Sequence, residues 1–188
     1  TGVQTCALPI WGKAWIHEGV LELRKAEAPR FKQFAEQGDL VIIPDESEED
    51  ITGVADVARQ VVESGLLWRV GVDAVGIGAI LDALQDPKCG VEEEKIVGIS
   101  QGWRLSGAIK TCERKLAEGM LVHGGQKLMN WCVGNAKIED KGNAVSITKQ
   151  ISGKAKIDPL MATFDAAYLM SLNPEAMVIG EDYELTAV

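Results

Sequence analysis

The chain has 188 residues, 46% of them hydrophobic and 5% aromatic, with 28 acidic side chains against 19 Lys and Arg for a formal charge of -9. That length suits one compact domain, and 25% charged residues with a mean hydropathy near zero argue against disorder, collagen-like repeats and a membrane protein. The acidic balance also argues against a nucleic-acid partner, because phosphates are met mainly by Lys and Arg.

Residues 1–10, TGVQTCALPI, have neither the basic start nor the continuous apolar run of a secretory signal. They resemble a translated sequencing adaptor. The expectation is a non-native segment, with the native reading frame entering near Trp11, inside a gene, which sets Cys6 aside. Residues 26–37 carry Phe31 and Phe34 three apart and stop at Gly38, as a short amphipathic helix would. Residues 40–43 are an aliphatic strand closed by Pro44 and the acidic run DESEED. Residues 50–65 place Ile51, Val54, Val57, Ala58, Val61 and Val62 at helical spacing. Then come a strand at 69–72, a helix at 75–84, a strand at 95–99, and a helix at 106–118 with Ile109, Cys112 and Leu116 on one face.

The last third reads differently. A helix over 125–136 holds Leu128, Trp131 and Cys132, and AKIED, KGN and AVSITK form a hairpin about a Gly-Asn turn. The clearest helix covers 157–172, with Leu160, Phe164, Ala167, Tyr168 and Met170 marking its buried side, and Pro174 ends it. Residues 175–188 are an acidic tail. Alternating strands and helices predict an α/β sheet with helices packed on it, and no repeat or Gly/Ser/Pro-rich linker divides the chain.

Several chemistries find no support. There is no Gly-x4-Gly-Lys-[Ser/Thr] phosphate loop and no Gly-x-Ser-x-Gly elbow. Gly76-Ile77-Gly78 lacks the third glycine of a dinucleotide loop, Leu81 standing in its place. Cys89, Cys112 and Cys132 form no Cys-x-x-Cys pair, and with only His17 and His123 available, core or surface thiols in a reducing cytoplasm are the reading. His123 precedes Gly124-Gly125 and reads as a hydrogen-bonded loop histidine.

The carboxylates carry more. Asp73 follows an aliphatic strand, where open α/β sheets present ligand-binding groups, although capping the next helix explains it equally well. Asp158 opens the C-terminal helix, and there too capping and catalysis compete. Two or more converging carboxylates can hold a pair of Mg²⁺ or Mn²⁺ ions for phosphodiester hydrolysis. Asp165, two turns further along, reads as a surface or supporting residue, and Asp39 and Asp45 as surface residues. The basic residues are concentrated: residues 137–156 carry Lys137, Lys141, Lys149, Lys154 and Lys156 against Glu139 and Asp140, whereas residues 157–188 carry six acids and no Lys or Arg.

The run HGGQKLMNWCVGNA at 123–136, the hairpin ending Ile147-Thr148-Lys149, and KAKIDPLMATFDAAYLM at 154–170 together resemble the C-terminal nuclease domain of tailed-phage terminase large subunits. Val70-Gly71-Val72-Asp73 before a helix is similar to the same family's middle acidic motif. The resemblance implies an RNase H-like α/β fold, a mixed sheet flanked by helices with a late hairpin and a C-terminal helix. It also implies a two-metal endonuclease, using Mg²⁺ or Mn²⁺, that cuts concatemeric double-stranded viral DNA in the cytoplasm of a bacterial host.

By position, Asp73 and Asp158 match metal-binding catalytic aspartates. Lys149 and Lys156 read as DNA-phosphate neighbours, Asn135, His123 and Asp165 as possible supports of the site, and Trp131 as core. In the family a first metal-binding Asp lies on a strand upstream, and an ATPase domain, through which ATP would act, lies further upstream. Residues 11–174 are therefore expected to be a partial nuclease domain without its first strand or strands, catalytically incomplete by itself. Implied partners are the terminase small subunit and the portal protein. Two other readings share the residues: a non-catalytic α/β docking domain, for example on a portal, and another RNase H-like nuclease such as a resolvase.

Overall fold

A computed structural model describes residues 7–73, 77–149 and 155–175. Cys6, Gly76, Lys154 and nearly all of the acidic tail lie outside the described residues. In chain order the elements are β1 (Leu8–Ile10), β2 (Ala14–His17), α1 (Gly19–Leu23), α2 (Ala28–Glu36), β3 (Leu40–Ile43), α3 (Glu49–Glu63), β4 (Val70–Asp73), α4 (Gly78–Gln85), β5 (Ile96–Ile99), α5 (Ser106–Ala117), β6 (Leu121–His123), α6 (Lys127–Gly134), β7 (Ala136–Lys141), β8 (Ala144–Lys149) and α7 (Asp158–Met170). The mixed α/β architecture expected from the alternating segments is the one observed.

Three strand pairs are parallel: β1 with β6, β2 with β3, and β4 with β5. Each joins strands separated by helical chain, as parallel pairing requires. Among the described residues only β7 and β8 pair antiparallel, across a two-residue turn in which Gly142 takes φ +65°. A positive φ at the first turn position suits a tight hairpin and favours glycine there. Leu8–Ile10 fall within the stretch set aside above as adaptor-like, yet they pair in register with Leu121–His123.

Three apolar clusters hold these elements together. In the first, Ile99, Leu105, Ala108, Ile109, Cys112, Phe164, Ala167 and Leu169 join β5, α5 and α7, with Val145 and Ile147 of the hairpin packed against them. In the second, Phe31 and Phe34 of α2 meet Leu40, Leu128 and Cys132, and Trp131 packs edge-on to Phe31 with ring centroids 5.6 Å apart. In the third, Leu84, Cys89 and Val91 lie under α3. The helical faces differ from expectation at three places: Leu116, Tyr168 and Met170 are exposed, and Leu169 takes the buried position on α7. All three described thiols are buried and free, so they are core residues.

Asp39 corrects a second expectation. It is buried, not on the surface. Its carboxylate accepts hydrogen bonds from Gln126 Nε2 at 3.1 Å and from the backbone N–H of Leu128 at 3.2 Å, in the first turn of α6. Gln126 in turn clasps the backbone of Gly12 through both its amide atoms. One carboxylate thus ties the start of β3 to α6 and to the segment entering β2. Asp39→Ala strands the Leu128 N–H and should lower unfolding free energy by about 1–3 kcal/mol in urea titrations; a change within error would mean that water replaces the carboxylate.

Candidate functional site

β4 and β5 end together, with Asp73 opposite Ile99 in the parallel register. Side chains at this edge lie where parallel sheets present groups to ligands. Asp73 is exposed there. The N-cap of α4 is Ile77, which makes no side-chain cap bond.

Helix α7 crosses the same strand pair. Leu169 rests on Gly71, where an added Cβ would come within 3.1 Å of Leu169 Cδ1. One turn earlier stands Asp165, only 7% exposed, which removes the surface alternative of its reading and leaves that of a supporting residue. Its Oδ1 accepts a hydrogen bond from Gln101 Nε2 at 3.0 Å, and the same amide reaches the carbonyl oxygen of Ile99 at 3.3 Å. Burial holds the Asp165 carboxyl above the ordinary carboxylate range; the Gln101 bond opposes this, and the charge of Asp73 adds to it. The charge of Asp73 at the end of β4 thus reaches the buried Asp165 carboxyl on α7.

Asp158 is placed differently. It is the first residue of α7, exposed, and makes no side-chain cap bond. Seven residues separate it from Asp165, so the two share a helix face but stand about 10 Å apart along the axis. Its charge is felt at Cys132, whose thiol is pushed up to about 12, first by burial and then by Asp158. Such a thiol stays protonated and unreactive. Among the described residues no group of three or more His, Cys, Asp or Glu is placed to share a metal ion. Asp73, Asp158 and Asp165 are thus not gathered into one trio.

The remaining expected residues lie on other elements. Lys149 ends β8 and Lys156 precedes α7; both are exposed, and neither pairs with a carboxylate among the described residues. Lys137 and Lys141 instead sit beside Glu139 at 3.9 and 3.6 Å, which offsets part of the hairpin's charge. Asn135 closes α6 and donates from Nδ2 to the carbonyl of Lys156 at 3.0 Å, which fixes the chain leading into α7. His123 ends β6, accepts from Gly125 N–H at 3.3 Å as a loop histidine does, and lines an apolar cavity of about 440 Å³. That cavity is lined by none of the three aspartates, so its apolar walls are separate from the carboxylate chemistry.

A solved structure of similar fold is the large terminase of bacteriophage HK97: the two superpose with a TM-score of 0.65 over 81% of this chain, at 18% sequence identity. The fold is that of a phage large terminase. The chain spans 32% of the length of the HK97 terminase. No protein-family model and no curated protein matches the sequence. The terminase likeness bears out the RNase H-like α/β class expected from the motifs.

Within that fold the donor set at the strand ends fits a hard divalent cation. Mg²⁺ is typically held by one or two carboxylates, with water and substrate phosphate completing its shell. Sequence reading missed Gln101, which carries no charge and belongs to no motif. Its only signal was position, two residues past the end of a strand that pairs with the one bearing Asp73.

Proposed function

We propose that this chain is nuclease-domain sequence of a terminase large subunit, a metal-dependent endonuclease acting on double-stranded viral DNA during genome packaging. Fold alone does not carry an activity. The observation that supports the reading is the buried Asp165 of α7, which feels the charge of Asp73 at the end of a parallel strand, within a terminase fold. Asp73 and Asp165 would hold Mg²⁺ or Mn²⁺, and Gln101 would keep Asp165 turned toward Asp73. Bound metal would supply an activated water and charge compensation at the scissile phosphate, the division of labour of two-metal hydrolysis. Lys149 and Lys156 would neutralise flanking phosphates, and Asp158 would lie further along the DNA path or complete a second ion's shell. ATP use in another domain, the small subunit, the portal and the host cytoplasm belong to the same proposal.

Calorimetric titration with Mn²⁺, alongside cleavage of a linear duplex, tests it. Binding by the wild-type chain, weakened at least about tenfold by Asp73→Ala, is the expected result for loss of one of two carboxylate ligands. Cutting that survives both Asp73→Ala and Asp158→Ala would sink the assignment. A docking role is favoured by one separate feature: Leu116, Val133 and Ile138 are exposed around the apolar cavity.

A further inference from the structure

Immediately after Gln101 the chain makes a short 3-10 turn, Gly102–Leu105, before entering α5. Gly102 sits at φ +72°, so the chain reverses sharply at a position where a side chain would be strained. Both ends of the turn are anchored. Gln101 is bonded to Asp165 and to Ile99, and Leu105 is 0% exposed in the largest apolar cluster. Between these anchors Trp103 is 60% exposed. The Arg104 guanidinium lies over its ring at 5.4 Å and pairs with no carboxylate among the described residues.

An exposed indole held in a fixed turn has no packing role of its own. A stacked, unpaired guanidinium beside it is preorganised for phosphate. The hairpin adds to this edge: Val145 N–H donates to Ser106 Oγ at 3.0 Å, so β8, which carries Lys149 at its end, packs alongside the turn. Trp103 and Arg104 thus follow within three residues of Gln101, whose amide is bonded to Asp165. Arg with an aromatic is the pairing that meets both the backbone and the bases or sugars of nucleic acid.

We infer that Trp103 and Arg104 form a DNA-contacting element at the mouth of the carboxylate site, with Arg104 on a phosphate and the Trp103 indole against the adjoining nucleotide. This rests on the nuclease reading above. The molecule contains its own control: Arg69 lies over Trp68 at 4.8 Å, the same stack just before the opposite end of β4.

Fluorescence anisotropy with a labelled duplex in EDTA measures binding without cleavage. Arg104→Ala should weaken binding and reduce the salt slope by about one. Trp103→Ala should weaken it about five-fold or more with the slope unchanged, and Arg69→Ala should bind as wild type. Both positions are exposed, and circular dichroism checks that each variant is folded. Wild-type binding that neither Trp103→Ala nor Arg104→Ala weakens, or that Arg69→Ala weakens equally, overturns the inference while leaving the nuclease reading intact. A wild-type chain that binds no duplex removes the nuclease reading and the inference together.

Discussion

Asp165→Asn will raise the melting temperature at neutral pH and, in the same protein, weaken Mn²⁺ binding by at least about tenfold. The first effect follows from the carboxyl's surroundings. Asp165 is 7% exposed and its pKa is raised by burial and by Asp73, with Gln101 only partly compensating. A carboxyl whose folded pKa lies above its unfolded one contributes stability that is fully present below the unfolded pKa. That contribution is lost as pH rises through the folded value. At neutral pH the wild-type chain therefore carries a buried charge that asparagine does not, while the asparagine oxygen still accepts the Gln101 bond. The melting-temperature gap should be positive at pH 7 and shrink as pH falls into the carboxylate range, as read by calorimetric melts. A variant less stable than wild type at pH 7 would mean that Asp165 is stabilised by partners other than Gln101. Stability yielded at the position proposed to bind metal is the usual trade at functional sites.

Leu105→Ala will cost about 2–5 kcal/mol of unfolding free energy, the range for a fully buried leucine reduced to alanine. Leu105 is 0% exposed and belongs to the cluster that joins β5, α5 and α7, with Val145 and Ile147 of the hairpin packed against it. Neighbours contributed by several elements cannot close around the cavity without moving an element. Against a total stability of roughly 5–15 kcal/mol, this single change approaches global unfolding. Leu116→Ala, on the helix α5 that follows and 53% exposed, should stay within about 0.5 kcal/mol in the same urea titration. Equal losses at the two positions would place the core elsewhere. Because Leu105 also anchors the turn bearing Trp103, the variant should lose DNA affinity even where it remains folded.

The secondary structure was legible where local rules act alone. The spacing of Phe31 and Phe34, the aliphatic run at 40–43, the Gly-Asn turn and the long apolar face ending before Pro174 each produce the expected element within two or three residues. β1, β2, α1 and β6 were not marked in the sequence, because strands of three or four residues and a five-residue helix carry too little periodicity to stand out. Asp39 shows the same limit for a single residue. An aspartate beside a strand reads as surface, and only the arrival of α6 buries it and supplies Leu128 N–H and Gln126 as donors.

Sequence by itself determined the alternation of elements, the absence of nucleotide-loop and hydrolase motifs, and the two acidic positions, Asp73 and Asp158, that resemble a terminase nuclease. Those properties are written in local pattern and motif. Tertiary structure decided which carboxylates meet. α7 lies on β4 with Leu169 over Gly71, so the residue one turn earlier, Asp165, comes to Asp73, while Asp158 remains about two turns away near Cys132. The net charge of -9 that argued against DNA is likewise an average over the whole chain. What a phosphate would meet is local: Lys149, Lys156 and Arg104 are exposed, which depends on packing across the chain and not on composition.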